Sequence, residues 1–123
     1  IKNIKLPVSA PFHCDLMTNA TTIMTDELNK LNFKSGQNKL ISNVTAYEIK
    51  DLDELKNLLI KQIENRVRWR ESVINMMENK VNHFIEIGPG KVLSGLVKRI
   101  DRDVKIDTIN SISDIEGIKL WVT

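Results

Sequence analysis

His13 closes on the end of "LPVSAPFHC", residues 6–14, directly before Cys14, the only cysteine of the chain. Imidazole is the side chain best suited to moving a proton near neutral pH. Proline fixes its own φ and drives the residue before it toward extended conformations. Pro7 and Pro11 therefore predict a stiff segment that carries His13 to a defined place at low entropic cost. A histidine with a purely structural role fits the same segment, and the local chemistry leaves both readings open. Cys14 beside His13 invites a cysteine–histidine nucleophile pair, but adjacent side chains usually diverge and a lone cysteine commonly packs as a small hydrophobe. His13, Cys14 and the distant His83 do not make a zinc ligand set, and no close carboxylate cluster completes one. His83, at the entry to an expected strand, reads as structural or surface.

Two further stretches could carry chemistry. "EIGPGKVLSG", residues 86–95, places glycines at a strand-to-helix turn, where backbone amides could meet a phosphate. It fails both phosphate fingerprints. A P-loop needs a glycine where Ile85 stands and a Ser or Thr where Val92 stands, and a dinucleotide turn needs a glycine at Leu93. A tight turn bringing strand and helix close is the reading it supports. "NRVRWRESV", residues 65–73, sets Arg66, Arg68 and Arg70 around Trp69. With aromatics at 5% of the chain, one tryptophan among arginines is a thin stacking platform for nucleic acid. The stretch reads as a solvated helix start with Trp69 turned inward, and a docking patch for an acidic protein stays open.

The elements that must position these residues follow from apolar spacing. Leu16, Ala20, Met24, Leu28 and Leu31 predict a helix over about 15–31. "KLISNV", 39–44, predicts a short buried strand. Asp51 and Glu54 form a capping pair ahead of Leu52, Leu55, Leu58, Leu59 and Ile63, predicting a helix over 52–63. Trp69, Val73, Met76, Met77 and Val81 predict another over 66–80. "HFIEI" then reads as a strand, Val92, Leu96 and Ile100 as a helix, "VKIDTI" at 104–109 as a strand, and "SDIEGIKLW" as a short helix or loop. Alternating strand and helix point to an α/β fold with mostly parallel strands, whose crevices lie at the carboxyl ends of the strands.

The chain has 123 residues, 41% hydrophobic and 28% charged, with a net charge of +2. That is one domain's worth of soluble chain or part of one. The mixed charge demands neither nucleic acid nor an anionic membrane as partner. No apolar run approaches the roughly 20 residues of a membrane-spanning helix. A single cysteine cannot form an internal disulfide, which points to a reducing compartment, the cytosol. Ile1 in place of an initiating methionine reads as a processed or excised piece of something longer.

In this order and at these distances, "LPVSAPFHCDLM", "LISNV", "IKQIENRVRW" and "FIEIGPGKVLSGLVKRI" resemble the carboxy-terminal part of a malonyl-CoA:acyl carrier protein transacylase. The resemblance runs from about residue 4 to residue 109. It implies an α/β-hydrolase-like acyltransferase large subdomain, here in its C-terminal portion. In that family a serine on a nucleophile elbow, in the preceding half of the chain, attacks the malonyl thioester. The histidine of the P-x-H motif, His13 here, is its base, and a main-chain carbonyl matching Gln62 orients that imidazole, with no call on the Gln62 side chain. No cofactor is implied, malonyl-CoA being a substrate. Acyl carrier protein and the upstream half of the same protein are the implied partners, together with self-association of the isolated piece.

The departures bear on activity. Arg66 stands where the family often has proline. No G-x-S-x-G elbow occurs in the chain. The oxyanion-hole donors, the arginine that pairs with the malonyl carboxylate and the ferredoxin-like subdomain belong upstream as well. The expectation is half a catalytic site with no transferase activity alone. An acyltransferase module of a polyketide system, and a non-catalytic module that binds carrier protein through the arginines near Trp69, are the alternatives.

Overall fold

A computed structural model describes residues 10–119. The chain divides into two compact units, Ile1–Ser72 and Val73–Thr123. Pro7 and Ser9 lie outside the described residues.

In the first unit a 3-10 turn, Asp15–Met17, leads into helix α1, Thr18–Asn29. The regular helix starts three residues later than its apolar spacing predicts. Four of its threonines, Thr18, Thr21, Thr22 and Thr25, turn their hydroxyls back onto carbonyls three or four residues earlier, which spares these β-branched polar residues any other partner. Of the apolar residues that predict this helix only Leu28 is buried, whereas Leu16 is 78% exposed and Leu31 54%.

Helix α2, Leu52–Lys61, packs against α1. Asp51 caps it by accepting from Glu54 N at 2.7 Å, and the Glu54 carboxylate accepts from Lys50 N at 2.8 Å, so both acids of the predicted pair are used. Leu58 is its buried anchor.

The strand expected at 39–44 does not form. Ile41 makes one antiparallel bridge to Glu48, and between them the chain closes a turn. The Ser42 hydroxyl accepts from Val44 N at 3.1 Å, Ala46 N donates to Ser42 O at 2.9 Å, and Ala46 sits in the left-handed region at φ 67°. These local bonds outcompete a ladder for a run of only a few apolar residues.

Helix α3, Trp69–Glu78, carries the chain into the second unit. Its end is a Schellman motif: Val81 N donates to Met76 O at 3.0 Å, Lys80 N to Met77 O at 2.9 Å, and Lys80 takes φ 73°.

Within the second unit, strand β1 (His83–Ile87), helix α4 (Val92–Ile100) and strand β2 (Lys105–Ile109) form a βαβ unit. The strands pair in parallel with His83 opposite Lys105 and Ile87 opposite Ile109. Helix α5, Ile112–Lys119, packs on β2, so the closing segment is helical. Asp114 starts it by accepting from the amides of Asn110 and Ser111, each at 2.8 Å. Val73, Val97 and Val104 are the buried apolar residues among those described here. Alternate residues of β1 behave differently: Glu86 turns toward α4, while Ile85 and Ile87 remain 41% and 77% exposed. No helix among the described residues is long and apolar enough to cross a membrane.

Candidate active site

His13 and Gln62 come together in the first unit although 49 residues separate them. The His13 Nδ1 lies 2.8 Å from the Gln62 main-chain oxygen. A carbonyl can only accept, so Nδ1 carries the proton in this bond and the neutral ring keeps its free lone pair on Nε2. The acceptor is well placed for the task. Gln62 is the C-cap of α2, where carbonyls have lost their intrahelical donors and the helix carries its partial negative charge.

The backbone around His13 is tethered at three points. His13 N donates to Ile63 O at 3.2 Å, beside the ring's own acceptor, so amide and imidazole grip consecutive carbonyls. Phe12 N donates to Ala10 O at 3.0 Å. The Cys14 thiol donates to Pro11 O at 3.1 Å, which closes the turn. Cys14 is thus a brace for the turn, not a partner of the imidazole. His13 itself takes φ 62°, a left-handed conformation that costs a non-glycine residue on the order of 1 kcal/mol and persists where surrounding contacts impose it. His13 is exposed.

Sequence reasoning missed one contributor. Asn43, in the turn after Ile41, donates from Nδ2 to Gln62 Oε1 at 3.2 Å, and its main-chain oxygen accepts from Arg68 N at 2.8 Å. The only signal for it was the turn-forming character of "SNV", which the strand reading absorbed.

The other candidates resolve as structural. The Leu93 and Ser94 amides at the start of α4 donate to Glu86 at 3.1 and 2.8 Å, and the Ser94 hydroxyl donates to the same carboxylate. These bonds, the hydroxyl's first, hold the Glu86 carboxyl below its ordinary range. The amides a phosphate would need already serve an internal anion. Gly88 and Gly90 adopt φ 136° and 95°, conformations that demand glycine, and Gly90 N reaches Asn110 Oδ1 at 2.8 Å. His83 ties β1 to β2 through Nε2, 2.6 Å from Asp107 Oδ2, with Lys105 Nζ at 3.8 Å from the same oxygen. Arg66 and Arg68 both reach Glu71 Oε1, at 2.9 and 3.4 Å, so two of the three arginines are already engaged. Trp69 is half-buried with its indole nitrogen shielded from solvent. Among the described residues no group of three His, Cys, Asp or Glu side chains converges as metal ligands.

No protein-family model matches the chain. Curated proteins do. A malonyl CoA-acyl carrier protein transacylase of Staphylococcus aureus (strain COL) is 38% identical over 112 residues, 91% of this chain and 36% of that protein. One of Bacillus subtilis (strain 168) is 43% identical over 119 residues, 97% of this chain and 37% of that protein. The crystal structure of a malonyl-CoA:acyl carrier protein transacylase from Xanthomonas oryzae superposes with a TM-score of 0.88 at 30% identity, over 98% of this chain and 38% of the other. A malonyl-transacylase in complex with a type II PKS acyl-carrier protein superposes with a TM-score of 0.83 at 33% identity, over 91% and 36%. The chain spans a little over a third of the length of the curated relatives it matches. In sequence and in fold, this chain is related to the malonyl CoA-acyl carrier protein transacylases over that third of their length.

Proposed function

We propose that this chain is the histidine-bearing segment of a malonyl-CoA:acyl carrier protein transacylase, with His13 as general base and the Gln62 main-chain carbonyl as its orienting partner. The observation that carries the reading is the 2.8 Å contact between His13 Nδ1 and Gln62 O, which aims a lone pair from Nε2 at whatever faces it. In the first half-reaction Nε2 takes the proton of a serine hydroxyl as its oxygen bonds to the malonyl carbonyl carbon. The carbon–sulfur bond then breaks, and the imidazolium returns the proton to the departing coenzyme A thiolate. In the second, Nε2 takes the proton of the carrier protein's pantetheine thiol, sulfur bonds to the malonyl carbon, the ester carbon–oxygen bond to the serine breaks, and the imidazolium returns the proton to the serine oxygen. Thiolate is a good leaving group, so stabilising the tetrahedral oxyanion and keeping water from the acyl-enzyme are the harder tasks.

The serine, the oxyanion donors and the arginine for the malonyl carboxylate fall, on this reading, in the part of the family domain that the chain does not match. The exposure of Phe12 (59%) and Leu16 (78%) near His13, and of Ile87 (77%) on a parallel sheet that has two strands among the described residues, supports completion by an upstream segment, since parallel sheets are ordinarily covered on both faces. The setting would be fatty acid synthesis in the cytosol, where the thiol of Cys14 stays reduced. Engagement of Arg66 and Arg68 by Glu71 weighs against a module that only binds carrier protein through those arginines.

The test is a chimera in which this chain replaces the matched 119 residues of the Bacillus subtilis relative. Malonyl transfer from coenzyme A to carrier protein is expected from the chimera and absent from the chain alone. His13→Ala in the chimera should lower kcat by about 100-fold or more, the usual weight of a general base. Transfer by the chain alone, or full activity of the His13→Ala chimera, would overturn the reading.

A further inference from the structure

We infer that Asn43 is a positioning residue for His13, acting through the side chain of Gln62, an inference that rests on the reading of His13 as the base. Three observations meet at this point. Asn43 Nδ2 donates to Gln62 Oε1 at 3.2 Å while the main-chain oxygen of the same Gln62 receives His13 Nδ1 at 2.8 Å, so one residue is held at both ends. Asn43 is itself fixed: its carbonyl accepts from Arg68 N at 2.8 Å, and the turn behind it is closed by Ser42 N to Tyr47 O at 2.9 Å and by the buried Ala46. Packing alone does not hold Gln62, because a cavity of about 110 Å³ borders it, lined by Ile41, Ser42, Asn43, Leu58 and Leu59 among others.

The physical consequence concerns the end of a helix. Gln62 N still donates to Leu58 O at 3.0 Å, but past it the ladder gives way to the longer bond of Ile63 N to Ile60 O at 3.2 Å, which leaves the peptide carrying the Gln62 carbonyl some room to rock about ψ. Rocking swings the carbonyl away from Nδ1 and releases the ring to its other tautomer, with the lone pair on the wrong nitrogen. The bond from Asn43 to the Gln62 side chain opposes that rotation. It also joins the turn at 42–47, the end of α2 and the approach to α3 into one support for a single imidazole. On this inference the side chain at position 62 carries weight beside its carbonyl.

The experiment reads the ring directly. The chain holds two histidines, so ¹⁵N-labelled imidazoles give two sets of ring signals, and His83, in the other unit, is the internal reference. With Asn43→Ala, the ratio of Nδ1-protonated to Nε2-protonated neutral His13 should fall about twofold to fivefold, the weight of one exposed hydrogen bond, while His83 stays put. Gln62→Met, which keeps the carbonyl and removes only the amide, should do the same, and the double variant should do no more. Asn43→Asp, which can still accept from the Gln62 amide nitrogen, should restore the original ratio. An unmoved His13 in Asn43→Ala, or additive effects in the double variant, would overturn the inference. Should Asn43→Ala unfold the chain and move both histidines, Gln62→Met decides: an unmoved His13 there overturns it equally. The readout is the tautomer, so the inference can fail while the chimera supports His13 as base, and the reverse.

Discussion

Replacing His13 by glycine and, separately, by alanine isolates the backbone cost of holding the imidazole in place. Both variants lose the ring and its bond to Gln62, so their difference reports the conformation at φ 62° alone. At an ordinary position alanine is the more stable by about 0.5–1 kcal/mol, because glycine surrenders more freedom on folding. In the left-handed region a β-carbon costs about 1–2 kcal/mol and glycine pays none of it. The order should therefore invert, with the glycine variant about 0.5–1 kcal/mol more stable than the alanine variant. Urea unfolding followed by circular dichroism would read this as a midpoint about 0.4 M higher for glycine at a slope near 2 kcal/mol/M. Equal slopes are needed for the comparison to concern the folded state. An alanine variant as stable as the glycine variant would refute the reasoning, since the turn held by Ile63 O and Pro11 O would then impose no left-handed cost.

Three further expectations concern the scaffold. Lys80→Gly should raise stability by about 0.5–1 kcal/mol, seen as a Tm higher by a few degrees, because Lys80 occupies the left-handed position of the Schellman motif that ends α3; an unchanged Tm would count against that geometry. Asp51→Ala should cost about 1 kcal/mol through loss of the α2 cap, and Asp51→Asn only a few tenths, as chemical denaturation would read. The Glu86 carboxyl is held below its ordinary value of 4.5 by Ser94 and Leu93, so its contribution is complete above 4.5 and is lost as pH falls through the depressed folded value. Glu86→Gln should then be less stable than the parent at neutral pH and show a shallower loss in acid, with Asp114, also held low, keeping part of the slope. Parallel acid curves for parent and variant would remove Glu86 from that role.

Legibility in the sequence followed the range of the interactions. The α2 start was readable because Asp51 and Glu54 settle it within four residues, and the βαβ unit because apolar periodicity switches on either side of Gly88 and Gly90. The apolar residues of 39–44 suit a strand, but Ser42 within the stretch bonds to the amides of Val44 and Ala46, and the left-handed Ala46 just beyond it closes a turn instead. The α1 spacing marks one apolar face of a helix, and most of that face is exposed. Periodicity says which face is apolar, whereas burial depends on what lies opposite, and Leu16 and Leu31 stay 78% and 54% exposed.

The candidate site divides along the same line. Residue type and the flanking prolines made His13 a candidate without any coordinates, and the resemblance alone added its role and the carbonyl of Gln62. Tertiary structure decided what no local pattern contains. It brought residues 13, 43 and 62 to one place, gave the α4 amides to Glu86, and set the cavity beside the Gln62 side chain. Helix caps and turns are written within a few residues, where chain connectivity already holds the partners close. A bond across 49 residues exists only after the turn at 42–47 and the helix it precedes have packed, so its partners cannot be read from either segment alone.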